Sequence, residues 1–422
     1  MTVQLTKLEN GLRVVTQEMP HLHSAAIGVW VGVGARDECD AEHGICHLLE
    51  HMAFKGTVTR SARQIAEEIE QVGGDMNAAT GLEMTAYYVR LLKEDVPLGL
   101  GVLADILQNS TFDPDELTLE KDVILQEIAA VEDAPEEIAY DLALAAAFSG
   151  QSVGRPILGT PESVTAIKSE DLKSHLVNRY TPESMIICAT GAVDHAAIVS
   201  LVQQEFQALK PKKNRDTPKA RFTGGAKVSG KAFEQCHLVA GFSGPSYRDE
   251  GFMEAQVFSG LLGGGMSSRL FQEAREKRGL CYTIYSSSWG LRDSGIFSIY
   301  AATGQQMLPK LTDVIVGEIR KCADGGLSEQ EVSRSKAQLR AGLLMSLESA
   351  PARAEQIARQ LLLFGRIIET EELIARIDNV SAAGLSAFAI GLLEQKRPAV
   401  AVVGAGKDAQ KLADRTMHAF AA

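Results

Sequence analysis

The tripeptide Arg-Asp-Glu occurs twice, at residues 36–38 and 248–250, 212 positions apart. Each copy follows an apolar, glycine-punctuated run, Gly28–Gly34 (GVWVGVG) and Leu238–Gly244 (LVAGFSG). Each also leads from a β-rich stretch into a helical pattern. Self-similarity at so long a period predicts two similar α/β domains rather than one core or a solenoid. The 422 residues agree, because one core rarely serves more than about 200 residues. Lys210–Pro218 (KPKKNRDTP) is charged, carries two prolines and has no large apolar residue, so it reads as a linker. The expected division is residues 1–209, a linker at 210–223, and residues 224–422.

Composition narrows the function classes. No apolar run approaches the roughly 18 residues of a membrane-spanning helix, so no membrane span is expected. Residues 1–15 have neither a secretory apolar core nor an Arg/Ser-rich presequence, which makes the cytoplasm the expected compartment. Six scattered cysteines without a C-x-x-C pair argue against a disulfide framework or a cysteine-based zinc site. A formal charge of -12 argues against a nucleic-acid partner, which would need clustered basic surface.

The chemistry concentrates in His47-Leu-Leu-Glu50-His51, inside a helical pattern over 43–54. On a helix, residues i and i+4 share a face, so both imidazoles can bind one tetrahedral ion while Glu50 reaches a water beside it. Zinc needs a third protein ligand and an open position. Glu127 is the best candidate, in a predicted helix over 114–131 that also places Glu120 two turns earlier on the same face. Val123, Ile124, Ile128 and Val131 are its expected core-facing stripe, and Glu120 is placed to orient an imidazole. Taken alone, the pentapeptide fits a polar helix face equally well, and the two glutamates fit a solvated one better. Further helices are expected over 61–72, 266–275 and 328–348, with strands over 85–91 and 399–403. Carried forward by 212 positions, His47, Glu50 and His51 fall on Ser259, Leu262 and Gly263, so the second half keeps the scaffold without the ligands.

Across its whole length the chain resembles the inverzincins, more narrowly the pitrilysin-type (M16) peptidases, which include mitochondrial processing peptidase and insulysin. The resemblance implies an α+β fold of two homologous α/β domains, each an antiparallel-rich mixed sheet flanked by helices. It implies one zinc ion per chain on His47, His51 and Glu127, with Glu50 as general base and Glu120 behind the ligands. The segment Gly73–Thr80 is similar to the family stretch beside the substrate backbone, which makes Asn77, Ala78 and Thr80 expected substrate contacts. Arg275 and Tyr282 resemble the family's R-x6-Y element, whose two donors face the scissile carbonyl. Leu262–Met266 is similar to its glycine-rich substrate loop. Glu137 and Asp141, ten and fourteen positions beyond Glu127, match two acids that bind an arginine near the cleavage point.

The resemblance further implies a peptidase for peptides, unfolded segments or presequences, closed around its substrate. Longer relatives carry four such domains, so a homodimer is expected here, with Arg275 and Tyr282 of one subunit serving the zinc of the other. Two rival readings predict less: a non-catalytic, partner-dependent peptide-binding subunit, and a metal-binding regulator without turnover.

Overall fold

The computed structural model describes residues 3–212 and 216–421, so part of the expected linker, residues 213–215, lies outside the described residues. Among the described residues ten strands form two sheets. The first holds β1 (Val3–Lys7), β2 (Arg13–Glu18), β3 (Ser24–Val31), β4 (Asp75–Thr80), β5 (Thr85–Leu92) and β6 (Met185–Gly191), in the order β1-β2-β6-β3-β5-β4. The second holds β7 (Gly225–Ser243), β8 (Cys281–Gly290), β9 (Gly295–Thr303) and β10 (Ala399–Ala405), in the order β10-β7-β9-β8.

The expected duplication is present in the pairing. In the first sheet β2 runs parallel to β6, and β6, β3, β5 and β4 then follow one another antiparallel. In the second, the long β7 meets β10 twice. Residues 225–228 pair with 399–402 in ascending order, and residues 241–237 pair with 399–403 in descending order. β9 and β8 follow antiparallel. The two arms of β7 therefore take the places of β2 and β3, giving two copies of one antiparallel-rich mixed sheet. The repeated triplet keeps a local task as well. Asp37 accepts the backbone N–H of Gly34 at 3.0 Å, and Asp249 accepts that of Ser246 at 2.7 Å.

Central strands with every residue buried, such as β6, β9 and β10, require cover on both faces of a sheet. One face of the first sheet packs its own half's helices, including Val96–Gln108. Its other face, with Val15, Trp30, Ile186 and Cys188, is covered by Ala354, Ile357, Ala358 and Leu361 of the helix Ala350–Phe364. In the second sheet, Val239, Tyr300, Ala401 and Val403 are covered by Ala139 and Ala143 of the helix Pro135–Ala147. The compact units are accordingly discontinuous: Met1–Ile128, Pro156–Thr217 and Met345–Ile367 form one, and Ala129–Arg155, Pro218–Leu344 and Ile368–Ala422 the other. A cut at 210–223 separates the sheets, but each unit takes one covering helix from the other half of the sequence.

Two local expectations are corrected. Within the helix Pro114–Glu132 the buried residues are Leu117, Glu120 and Ile124, while Val123 stands 39% exposed. The stripe turns to bury a carboxylate, and Val123 falls off its edge. The expected helix over 266–275 starts late: residues 264–268 are bends and turns, and Phe271–Glu276 is π-helical. Three successive glycines, which stabilise a helix poorly, precede it. Among the described residues no single helix is long and apolar enough to cross a membrane.

Candidate metal centre

The motif sits on the helix Ile45–Ala53, whose Ile45, Cys46, Leu48, Leu49 and Met52 are buried. That packing turns His47, Glu50 and His51 outward on one face. The helix begins at Gly44, whose φ of +91° favours glycine, and whose Cα hydrogen a methyl would replace 3.0 Å from Gly159. Buried Glu38 holds this start, accepting the N–H groups of Gly44 and Cys46 at 2.9 Å each. A carboxylate at a helix N-terminus is favoured both by the free N–H groups and by the helix dipole.

The His47 and His51 rings lie 4.6 Å apart between centroids. His47 Nε2 is 3.7 Å from Glu127 Oε2, and His51 Nε2 is 3.7 Å from Glu127 Oε1. These separations are too long for hydrogen bonds. Three donor groups thus face one another unbonded, all within 4.8 Å. Metal–ligand bonds of about 2.0–2.2 Å set tetrahedral ligand edges of roughly 3.3–3.6 Å, so two imidazoles and a carboxylate at this spacing fit zinc. His51 Nδ1 lies 3.0 Å from Glu120 Oε2, which fixes the ring with Nε2 toward the cluster. His47 Nδ1 is buried and has no hydrogen-bond partner among the described residues.

Electrostatics favour a ligand-ready site. Burial, with His51 adding to it, pushes the His47 imidazole down to about 4, so it is neutral and able to donate its lone pair at pH 7. Burial raises the Glu50 carboxyl above its ordinary value, outweighing the hydrogen bond from Thr80. Burial would raise Glu120 too, but hydrogen bonds from Lys55 and His51 outweigh it and keep that carboxyl low.

The other expected residues fall in several places. Asn77 and Ala78 lie on β4, the edge strand of the first sheet, with Asn77 exposed and Ala78 packed against the core. Thr80 ends the same strand, but its hydroxyl is hydrogen-bonded to Glu50 Oε2. Arg275 and Tyr282 meet in the second unit, the guanidinium carbon 4.7 Å from the Tyr282 ring centroid and 4.5 Å from that of Phe271. A register shift between Cys281 and Thr283 bulges Tyr282 out of β8, leaving it 72% exposed. Glu137 and Asp141 share a face of the helix Pro135–Ala147, where burial and then Glu137 push Asp141 up to about 6.

The residues aligned with the motif close the equivalent gap. Ser259 and Ser286 exchange hydroxyl-to-carbonyl bonds of 2.9 Å. A side chain at Gly263 would meet Ser286 N at 2.4 Å, so the helix Phe252–Gly263 lies directly on β8 at the position that His51 takes in the first unit.

Sequence reasoning missed Lys55 and Glu38. Lys55 grips Glu120 Oε1 at 2.5 Å, and its signal was its place one turn beyond His51. The signal for Glu38 was an acid ahead of a helix start, within the repeated triplet.

A duplicated sheet-and-helix fold carrying a His-His-Glu cluster beside a further glutamate, Glu50, defines a metallopeptidase. Residues 13–161 match the insulinase model of peptidase family M16, and residues 166–339 match the M16 inactive domain. A protein of Rickettsia felis named a zinc protease is 41% identical over 90% of this chain and 92% of its own length. A zinc protease of Mycobacterium tuberculosis is 39% identical over 94% and 92%. The fold is also that of a Helicobacter pylori protease, with a TM-score of 0.89, 22% identity and coverage of 95% and 99%. It is likewise found in Candida albicans complex III2, at 0.85, 20%, 98% and 99%. The chain belongs to peptidase family M16, the insulinase-type zinc metallopeptidases.

Proposed function

We propose that this chain is an endopeptidase for peptides and unfolded or presequence-like segments, holding one zinc ion on His47, His51 and Glu127. The observation that carries the reading is the unbonded facing of those three groups with His51 fixed by Glu120. Zinc supplies a Lewis acid that polarises the scissile carbonyl and eases deprotonation of a water. Glu50 takes the proton of the attacking water and returns it to the leaving amine. Arg275 and Tyr282 donate hydrogen bonds to the developing oxyanion. The open edge of β4 at Asn77 and Ala78 takes an extended peptide as an added strand. Glu137 and Asp141 receive an arginine side chain near the cleavage point, supported by their spacing on one helix face and the strained charge of Asp141.

The assembly is a homodimer in which Arg275 and Tyr282 act on the partner subunit's site. A reducing compartment, the cytoplasm, is proposed on the support of six free cysteines.

The test is hydrolysis of a fluorogenic arginine-containing peptide by zinc-quantified protein. Chelator-sensitive cleavage that Glu50→Gln abolishes supports the reading. A chain with stoichiometric zinc that cuts no peptide in a varied library sinks it. Mixing Glu50→Gln with Arg275→Ala tests the dimer, since only action across subunits lets two inactive variants restore turnover.

A further inference from the structure

Thr80 was expected to touch substrate, but its side chain is already engaged. β4 alternates exposed and half-buried residues from Asp75 to Thr80. Met76, Ala78 and Thr80 therefore share the face toward the motif helix, and Asn77 and Ala79 share the other. The backbone at Thr80 is fixed by pairing with Thr85 and by the turn behind it, where Gly81 N–H donates to Met84 O at 2.8 Å. From there the hydroxyl donates to Glu50 Oε2 and lies 3.5 Å from Cys46 O, at the far edge of contact with the helix. No other side chain among the described residues hydrogen-bonds Glu50.

We propose that Thr80 is the positioning residue of the general base, its hydroxyl clamping one oxygen of Glu50 so that the other faces the attacking water. A glutamate has three side-chain torsions, and one end-on hydrogen bond from a rigid strand removes most of that freedom. Threonine suits the task, because its β-branch leaves few χ1 choices. The clamped Oε2 is also the less basic oxygen, since one of its two lone pairs is spent on a donor. Proton transfer is thereby directed to Oε1, within the geometric tolerance that general-base catalysis requires. Edge strand and base become one rigid unit, so a peptide laid along β4 meets Glu50 in fixed register.

The inference rests on the peptidase reading and is separable from it. In zinc-loaded protein, Thr80→Val removes the hydroxyl at constant shape and Thr80→Ser retains it. The expected result for the valine variant is a kcat about 10- to 100-fold lower, with KM within about twofold and zinc content unchanged. Serine restores most of the loss. In metal-free protein a double-mutant cycle of Thr80→Val and Glu50→Leu, read by thermal unfolding, is expected to show non-additive Tm shifts. If the valine variant does not fold, Thr80→Ala takes its place in both experiments. A raised KM at unchanged kcat would overturn the assignment in favour of a substrate contact, and additive Tm shifts or an unaltered kcat would overturn it outright. A wild-type chain that cuts nothing would instead sink the peptidase reading beneath it.

Discussion

His51 holds Glu120 at 3.0 Å through Nδ1, and Lys55 holds the other oxygen of the same carboxylate at 2.5 Å. Lys55, Glu120 and His51 thus form a chain that ends at Nε2, the atom of His51 that faces Glu127. With Glu120 only 5% exposed, the link is shielded from water and its charge is strongly felt. It keeps Glu120 anionic, and an anionic acceptor keeps the proton on Nδ1 and makes Nε2 the better donor.

Glu120→Gln should therefore weaken zinc binding by about 10- to 100-fold without unfolding the chain. Lys55→Met should give a smaller loss in the same direction, because Glu120 then keeps its bond to His51 but loses its counter-charge. Competition against a graded series of chelators measures both. Equal affinity for wild type and Glu120→Gln would show that the carboxylate does not tune the ligand.

Glu50→Gln separates binding from chemistry. Glutamine keeps the shape and can still accept from Thr80, but it cannot take a proton. Zinc stoichiometry should be unchanged while kcat falls by about 10²- to 10⁴-fold, the usual range for a lost general base. Loss of zinc in this variant would place Glu50 among the ligands instead, and Glu127 would need reassignment.

Most of the candidate cluster was legible because its logic is local. His47, Glu50 and His51 share one helix face by spacing alone, and the offset of 212 located their ligand-free copies. What spacing could not reveal is contact between distant segments. The Thr80 hydroxyl reaches Glu50 across thirty positions, and nothing in the run Asn77–Thr80 distinguishes a substrate contact from a clamp on the base. The late start after Gly263–Gly265 and the outward bulge of Tyr282 are tertiary outcomes of the same kind.

Asp141 should make the chain's stability depend on pH. Its carboxyl stands at about 6, above the unfolded value near 4, because burial and Glu137 both oppose its charge. A raised carboxyl costs stability above its folded pKa, and that cost is relieved as pH falls from about 6 to about 4. Asp141→Asn should therefore raise stability at pH 8 by about 1–2 kcal/mol, after allowance for solvent screening at a partly exposed site, and change little at pH 4. Denaturant unfolding at the two pH values measures this. The same variant should raise KM for arginine-containing peptides relative to arginine-free ones, since an incoming guanidinium would relieve the strained charge. A stabilising effect without any change in selectivity would leave Asp141 a purely structural acid.

The exchanged covering helices make each half of the sequence depend on the other. Ile357 is fully buried against Trp30, Ile186 and Cys188, on the face of the first sheet opposite the helix Val96–Gln108. Ile357→Ala, more than 300 positions from His47, should cost the unit that carries His47 about 2–5 kcal/mol, as large-to-small changes in tight cores do. Denaturant unfolding followed by tryptophan fluorescence in a Trp289→Phe background, which leaves Trp30 as the reporter, would show it, with zinc release as a second signal. A fragment ending at residue 209 carries the helix Pro135–Ala147 without the sheet that it covers. It also lacks Ala350–Phe364, which its own sheet needs. Two apolar surfaces are then open to water, so the fragment should aggregate or bind hydrophobic dyes. Adding back a peptide of residues 345–367 should partly rescue its solubility. A soluble, monomeric, zinc-retaining fragment of residues 1–209 would mean instead that the first sheet is stable with one face bare, and that the exchanged helix is dispensable to the metal centre.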